Sequence, residues 1–258
     1  MRFFKRAYIR YVLHRYAIKH EIWEAVTSKL VLLVGLTAVE KAHLRELSTL
    51  LLHGKRIFGV QGLLLTEEMR VLVAATVCLP ILHLGISLFA EWTDIVVYPS
   101  VFRVSRDETD AAGVVHHEER VLSGESWGRG PVIVAWDEVE RDSVQGLPGH
   151  NVIIHEIAHK LDMLNGTANG MPPLHVTMPI PEWSTTLSAA YEELNRRLSH
   201  HHPTCVNPYA ATSPAEFFAV FSEYFFCAPD IVHGHFHGVY RQLCLYYRQD
   251  PFLRLSAA

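Results

Sequence analysis

The run His155-Glu156-Ile157-Ala158-His159 has the residue types and spacing of a zinc-dependent hydrolase site. Residues four apart share one face of a helix, so both histidine rings can direct a nitrogen at one metal ion. Glu156 would then take a proton from a water molecule that the metal activates. The chain contains 17 histidines, so such a run can arise by chance. It therefore needs a helix and a third ligand to support it.

A third ligand is required because a zinc hydrolase uses three protein ligands and leaves one position open for water. The candidates that follow the run are His175, His200, His201, His202, Glu216, Glu223, His233, His235 and His237. Glu216 is favoured because it begins a segment that is otherwise apolar and aromatic. A carboxylate buried there is costly unless a metal or a cation compensates for it.

Helices are predicted through most of the amino-terminal part, residues 21–94. Thr37 and Glu40 have the spacing of a capping box, and Gly54 ends the helix that they begin. Thr66 begins another helix. Residues 71–90 carry no formal charge, and their length would just span a bilayer. Pro80 lies inside this stretch and favours two buried helical segments bent at that residue, with a membrane span as the alternative.

Short strands are predicted from Ile95 onward, at residues 95–98, 114–115, 120–122 and 132–136. They indicate a small mixed or antiparallel sheet. The strand at 132–136 leads toward the His155 helix, and an edge strand there would hold an extended peptide by main-chain pairing. Helices are expected at 182–198 and at 214–226, the second with Ser213 as its cap. The pattern indicates an α+β fold.

The chain is long enough for one large domain, because 49% of its 258 residues are apolar and no long linker divides it. We expect a basic arm at residues 1–20 and a single catalytic domain at 21–258. The arm contains six basic residues before the first acid, Glu21: Arg2, Lys5, Arg6, Arg10, Arg15 and Lys19. The net charge is −4, so the rest of the chain carries −10, which argues against direct nucleic-acid binding.

The arm has three possible roles. Its apolar residues recur at helical spacing, so it could be a solvated helix, a helix that docks a partner or a helix at a membrane interface. It lacks the apolar core and cleavage site of a secretory signal. The cysteines Cys78, Cys205, Cys227 and Cys244 form no C-x-x-C pair and are expected to be reduced, mostly buried thiols. Both features predict a cytoplasmic protein.

Many short stretches resemble one family of bacterial metallopeptidases. They are Lys55-Arg56 with Gln61-Gly62, Cys78-Leu79-Pro80, Val97-Tyr98-Pro99, Ser123-Gly124 with Ser126-Trp127, Gly130-Pro131, Asn151, His155-Glu156, His159-Lys160-Leu161-Asp162, Asn165-Gly166, Tyr209-Ala210-Ala211-Thr212, Ser222-Glu223-Tyr224-Phe225-Phe226 and Tyr247-Arg248-Gln249-Asp250-Pro251. In this order they resemble the Mlc titration factor A family over about residues 22–254, with no match for the arm. The resemblance implies a zincin-like metalloprotease fold with a helix-rich amino-terminal half.

The resemblance also implies roles for five residues. His155, His159 and Glu216 would bind zinc, and Glu156 would be the general base. Tyr209 matches a tyrosine that, in a similar toxin metalloprotease, donates a hydrogen bond to the developing oxyanion. The alternative for Tyr209 is a loop residue that packs on the core.

Several other polar residues have two possible roles. Asp162 and Glu223 are either acceptors that orient the ligands or carboxylates at a helix end and a core edge. The runs at 200–202 and 233–237 are histidine-rich, but the first is expected to be an exposed loop. The second has alternate spacing and is expected to have no helical face, so neither run is assigned a metal.

The resemblance implies a zinc peptidase, with aminopeptidase-type activity expected and endopeptidase activity as the alternative. The substrate is a peptide or protein whose identity the sequence does not reveal. The family also binds a glucose-responsive transcriptional repressor, so an Mlc-type repressor is expected as a partner. The alternatives are a repressor-titrating protein that is mainly non-catalytic and a membrane-attached protease.

Overall fold

A computed structural model describes residues 2–100, 102–109, 115–122, 124–126 and 130–256. Its α-helices are Arg2–Arg15 (α1), His20–Thr27 (α2), Ala38–Gly54 (α3), Glu67–Cys78 (α4), Trp136–Gln145 (α5), Val152–Asp162 (α6), Ile180–Ser199 (α7), Pro214–Cys227 (α8), Pro229–His235 (α9), His237–Tyr247 (α10) and Pro251–Ser256 (α11). Its strands are Arg56–Gly59 (β1), Asp94–Tyr98 (β2), Phe102–Thr109 (β3), Val115–Leu122 (β4), Gly124–Ser126 (β5) and Val132–Ala135 (β6). The α+β class is confirmed.

The sheet that supports α6 is mixed. The sequence predicted either a mixed or an antiparallel sheet, and the first of these is correct. Its strand order is β1-β2-β6-β5, with parallel pairing from β1 through β6 and antiparallel pairing of β5 to β6. β3 and β4 form a separate antiparallel pair. The prediction of an edge strand at 132–136 is wrong, because β6 lies between β2 and β5 and Trp136 already begins α5. β5 is the edge strand on this side.

The amino-terminal part is not helical throughout, because β1 lies inside it. Ile57 pairs with Ile95 of β2 and is buried, so a contact with a distant strand outweighs local helical preference there. The two short strands predicted at 114–115 and 120–122 belong to one strand, β4. Val114, Ser123 and Trp127 lie outside the described residues.

The predicted helix caps are confirmed. The hydroxyl oxygen of Thr37 accepts a hydrogen bond from the backbone N–H of Glu40 at 3.2 Å. The backbone N–H of Thr37 donates to the Glu40 carboxylate at 2.8 Å. Thr66 caps α4. α4 ends before Pro80, and the chain continues as turns and a short 3-10 helix at 86–89 rather than as a second α-helix. Within the described ranges, no helix combines the length and the apolar composition that crossing a membrane requires.

The core surrounds α4, α6 and α8, the three helices that position the site. α6 packs between the β5–β6 side of the sheet and α8, and α4 lies against α6. α8 is buried along nearly its whole length, with Phe218, Phe221 and Phe225 fully enclosed. The basic arm is a helix that packs on α3, where Val12 is completely buried. The tightly packed surroundings fix the spacing between α6 and α8.

Candidate metal centre

Helices α6 and α8 bring His155, His159 and Glu216 together, and we call these three residues the α6–α8 cluster. The two histidine Nε2 atoms lie 3.2 Å apart. Glu216 Oε2 lies 3.1 Å from Nε2 of His155 and 3.4 Å from Nε2 of His159. The helix that the sequence motif required is present, and Glu216 lies where a third ligand could bind the same ion. Among the described residues, this is the only group of three such side chains whose ligand atoms converge in this way.

These separations fit a metal ion. Ligand atoms bound to zinc at 2.0–2.1 Å in a tetrahedron are about 3.3 Å from one another. Although Glu216 Oε2 is buried and close to both histidines, it forms no well-directed hydrogen bond with any described residue. The donor set of two imidazoles and one carboxylate is also one that zinc favours.

The charges in the cluster attract one another. Burial opposes protonation of His155, but its contacts with Glu216 and Glu223 outweigh burial and raise the pKa of that imidazole well above 6.5. Burial would raise the pKa of Glu216, but the two histidines hold it well below its usual range. The carboxylate is therefore ionised, as a metal ligand must be.

Glu223 holds the imidazole ring of His155. One of its oxygens lies 2.7 Å from Nδ1 of His155, and the other accepts the backbone N–H of Asn151 at 2.7 Å. A carboxylate on Nδ1 fixes the ring so that Nε2 faces the metal position. Of the two roles open to Glu223, the structure therefore supports the orienting one.

The amino end of α6 is held by two further polar residues. Asn151 caps the helix through the N–H of Ile154 at 3.0 Å. Asp142 in α5, completely buried, accepts the N–H of Val152 at 3.0 Å and lies 2.9 Å from Nδ1 of His150. Sequence reasoning did not identify Asp142, because nothing local shows that α5 and α6 meet there.

Glu156 has the surroundings expected of a general base. Its side chain is almost completely buried, and burial raises its pKa to about 7. No described residue hydrogen-bonds its Oε2 atom. The carboxylate is therefore held among the charges of the cluster with one oxygen that no described residue binds, and its affinity for a proton suits acid–base work near neutral pH.

Tyr209 lies next to His155 of the cluster. Its ring centre is 6.2 Å from that of His155, and the residue is 48% exposed, so it does not pack in the core. Asn207 fixes the local backbone by accepting the N–H of Tyr209 and by donating its own N–H to the hydroxyl of Tyr224 in α8. Gly149, with φ of +68°, lies against the Tyr224 ring, where a Cβ atom would lie only 2.3 Å from ring carbons.

Asp162 holds a loop instead of orienting a ligand. Its Oδ2 atom accepts the backbone N–H groups of Asn169 and Gly170 at 2.8 and 2.7 Å. Gly170 has φ of +79°, and a Cβ atom there would lie 2.4 Å from the carbonyl oxygen of Pro214. The loop after α6 is thus fixed against the first turn of α8, close to Glu216.

The other histidine-rich segments form no metal cluster within the described part of the chain. The exposed run at 200–202 follows α7. His233, His235 and His237 lie in α9 and at the start of α10. Although each is in a helix, the three do not share one helical face, as their alternate spacing predicted. We call these three the α9–α10 histidines. His233 stacks on Phe252 with ring centres 4.0 Å apart.

The four cysteines are unpaired, as predicted. Only Cys78 among them is fully buried, however, and Cys205 is exposed. Cys227 and Cys244 are half-buried, so the prediction of mostly buried thiols holds in part. Burial raises the pKa of the Cys227 thiol, so it stays protonated at neutral pH.

Two comparisons with known proteins agree with this geometry. The model of the family described as glucose-regulated metallo-peptidase M90 matches residues 3–248. That match includes most of the arm, which the resemblance in the sequence did not cover. The Mlc titration factor A proteins of Yersinia pestis (strain Pestoides F) and Yersinia pseudotuberculosis (serotype O:1b) are each 39% identical over 228 residues, 87% of this chain and 83% of theirs. The chain is a member of the glucose-regulated metallo-peptidase M90 family.

Proposed function

We propose that the protein is a zinc peptidase and that His155, His159 and Glu216 bind the ion. The observation that carries the proposal is the convergence of three ligand atoms at 3.1–3.4 Å beside a buried glutamate. Membership of a metallopeptidase family supports it. When bound, zinc would polarise the peptide carbonyl and make a water molecule more acidic.

The protein groups then have distinct tasks. Glu156 accepts a proton from the attacking water and passes it to the leaving amine, for which its raised pKa is suited. Tyr209 donates a hydrogen bond to the oxygen on which negative charge develops. Glu223 keeps the His155 ring in place throughout. β5, the sheet edge next to α6, is available to pair with an extended substrate.

Replacement of the proposed base tests the proposal. Glu156→Gln keeps the size of the side chain but cannot accept the proton, so kcat on peptide substrates should fall by about 10²- to 10⁴-fold. Zinc content, measured by atomic emission, should not change. Unchanged turnover in the variant would exclude Glu156 as the base. The products of an unbiased peptide mixture would separate the expected aminopeptidase action from endopeptidase action, because only the former releases single amino-terminal residues.

We further propose that the protein binds a transcriptional repressor of the Mlc type in the cytoplasm. The supporting observation is that the relatives above are named Mlc titration factor A. Purified Glu156→Gln should capture a purified Mlc repressor as well as the wild type does, if the binding surface is separate from the metal centre. No capture by either form would contradict the binding function and leave the peptidase proposal intact.

A further inference from the structure

Tyr209 lies in a short 3-10 turn, Pro208–Ala211, which we call the Tyr209 turn. Within the turn, Pro208 and Tyr209 are exposed and only Ala210 is completely buried. The side chain of Ala210 is one methyl group and buries little apolar area. The ring that approaches His155 therefore depends for its position on the polar contacts of the turn's backbone.

Two tyrosine hydroxyls hold the ends of the Tyr209 turn, one from each neighbouring helix. At its start, the hydroxyl of Tyr224 in α8 accepts the backbone N–H of Asn207 at 3.0 Å. At its end, the hydroxyl of Tyr191 in α7 donates to the backbone carbonyl of Ala211 at 3.0 Å. The partners of these hydrogen bonds are 17 and 20 residues apart in the chain. We call Tyr191 and Tyr224 the tyrosine clamp.

Both rings of the tyrosine clamp are themselves held by their neighbours. Tyr224 is almost completely buried, and a Cβ atom at Gly149 would overlap its ring carbons. Tyr191 meets the ring of Phe217 edge to face, with ring centres 5.8 Å apart and planes at 88°. Aromatic pairs favour this arrangement over a face-to-face one. Each hydroxyl is therefore presented to the Tyr209 turn by a packed ring.

One helix, α8, connects the tyrosine clamp to the metal centre. Glu216 lies in its first turn, and the next residue, Phe217, is the one that Tyr191 contacts. Glu223 holds an imidazole of the α6–α8 cluster, and the next residue, Tyr224, belongs to the clamp. The same helix thus sets the position of the cluster and of the clamp.

We propose that Tyr191 and Tyr224 are positioning residues that act through Tyr209, by holding its turn beside the α6–α8 cluster. The proposal rests on the oxyanion role proposed above for Tyr209. A hydrogen-bond donor stabilises developing charge best when it is held in place before the reaction. Because that hydrogen bond strengthens in the transition state, loss of a clamp hydroxyl should lower kcat and leave KM nearly unchanged.

The kinetic test uses the full-length, zinc-loaded protein and one peptide that the unbiased mixture identifies as a substrate. Tyr191→Phe should lower kcat by about three- to tenfold, which is the worth of one ordinary hydrogen bond. Tyr209→Phe should lower kcat by about 10²- to 10³-fold. The double variant should be no slower than Tyr209→Phe alone, because no hydroxyl is left to position. Tyr240→Phe, whose hydroxyl accepts the backbone N–H of Phe252 in α11, is the matched control and should keep the wild-type kcat.

A second measurement needs neither metal nor substrate. Hydrogen exchange of the full-length protein, followed by mass spectrometry of a peptic fragment that covers residues 207–213, reports opening of the Tyr209 turn. Tyr191→Phe and Tyr224→Phe should each exchange there about three- to tenfold faster than the wild type. Tyr240→Phe should exchange there as the wild type does, because its hydroxyl holds another part of the chain.

Three results would overturn the proposal. Unchanged exchange of residues 207–213 in both clamp variants would show that the hydroxyls do not hold the turn. An equal fold-loss of kcat from Tyr191→Phe in the wild-type and Tyr209→Phe backgrounds would show that Tyr191 does not act through Tyr209. A wild-type kcat in Tyr209→Phe would remove the oxyanion role itself, and the clamp's role with it, while the proposed zinc ligands and base would stand.

Discussion

The α6–α8 cluster and the α9–α10 histidines each place three potential metal ligands close together in the chain or in space, yet only the first set converges. His155 and His159 are four residues apart on one helix, so their rings share a face. His233 and His235 are two apart in α9, on nearly opposite faces, and His237 begins another helix. His233 and His237 are nevertheless four residues apart, and their ring centres lie 5.0 Å from each other, against 4.8 Å for His155 and His159. Among the described residues, what the second set lacks is a third ligand atom that converges with such a pair.

The two sets also differ in what surrounds the rings. Glu223 holds Nδ1 of His155 at 2.7 Å, and Glu216 supplies a half-buried carboxylate from a separate helix. His233 packs its ring face on Phe252, so its position is set by stacking and not by a polar contact. A metal centre thus needs oriented nitrogens and a charge that burial would otherwise penalise.

We expect the largest effect from replacing Glu216, because the α9–α10 histidines have no such half-buried carboxylate beside them. Glu216→Gln keeps the shape of the side chain but removes its charge, so zinc affinity should fall by more than about 100-fold, beyond the loss typical of an orienting partner. Peptide turnover should be lost with it. Competition with a chelator measures the affinity. His235→Gln is the matched control and should bind zinc as the wild type does; similar affinities for the two variants would invalidate the comparison.

A smaller effect should follow from disturbing the orientation of His155 alone. Glu223→Gln weakens the acceptor at Nδ1, and zinc affinity should fall by about 10- to 100-fold while the three ligands remain. The same competition assay applies. Glu192→Gln, at an exposed position of α7, provides the control. An unchanged affinity in Glu223→Gln would mean that packing of α6 alone orients the ring.

Sequence was sufficient where the determining interactions are local. The spacing within α6, the cap at Ser213 and the apolar period of α8 all lie within a few turns of helix, and each predicted its element correctly. Glu216 was identifiable because a carboxylate in an aromatic helix is costly without a partner. These features identify most residues of the candidate metal centre before any tertiary contact is known.

Sequence was insufficient where partners come from distant elements. β1 forms only because Ile57 pairs with β2, which is 38 residues further along the chain by the register of Ile57 with Ile95. Asp142 is one of several acids in α5, and its role depends on how that helix meets α6. The position of β6 inside the sheet depends on β5, a strand of three residues with little pattern of its own.

We expect the smallest effect at His150, whose imidazole contacts the carboxylate of Asp142 away from the metal site. Close contact with Asp142 raises the pKa of His150 above 6.5, and burial offsets this only in part. A histidine whose pKa is higher in the folded than in the unfolded protein stabilises the folded state when it is protonated. This stabilisation is complete below pH 6.5 and disappears as the pH rises through the pKa of the folded state. His150→Gln should therefore lower the free energy of unfolding at pH 6 but not at pH 9.

The loss at pH 6 should be under about 1 kcal/mol, because the His150 side chain is 37% exposed and solvent screens the pair. Urea unfolding of both proteins with a chelator present measures it without the pH dependence of zinc binding. His235→Gln, whose imidazole is exposed, should show no such difference between the two pH values. A loss in His150→Gln that is equal at pH 6 and pH 9 would mean that packing, and not the charge of the imidazole, holds the amino end of α6.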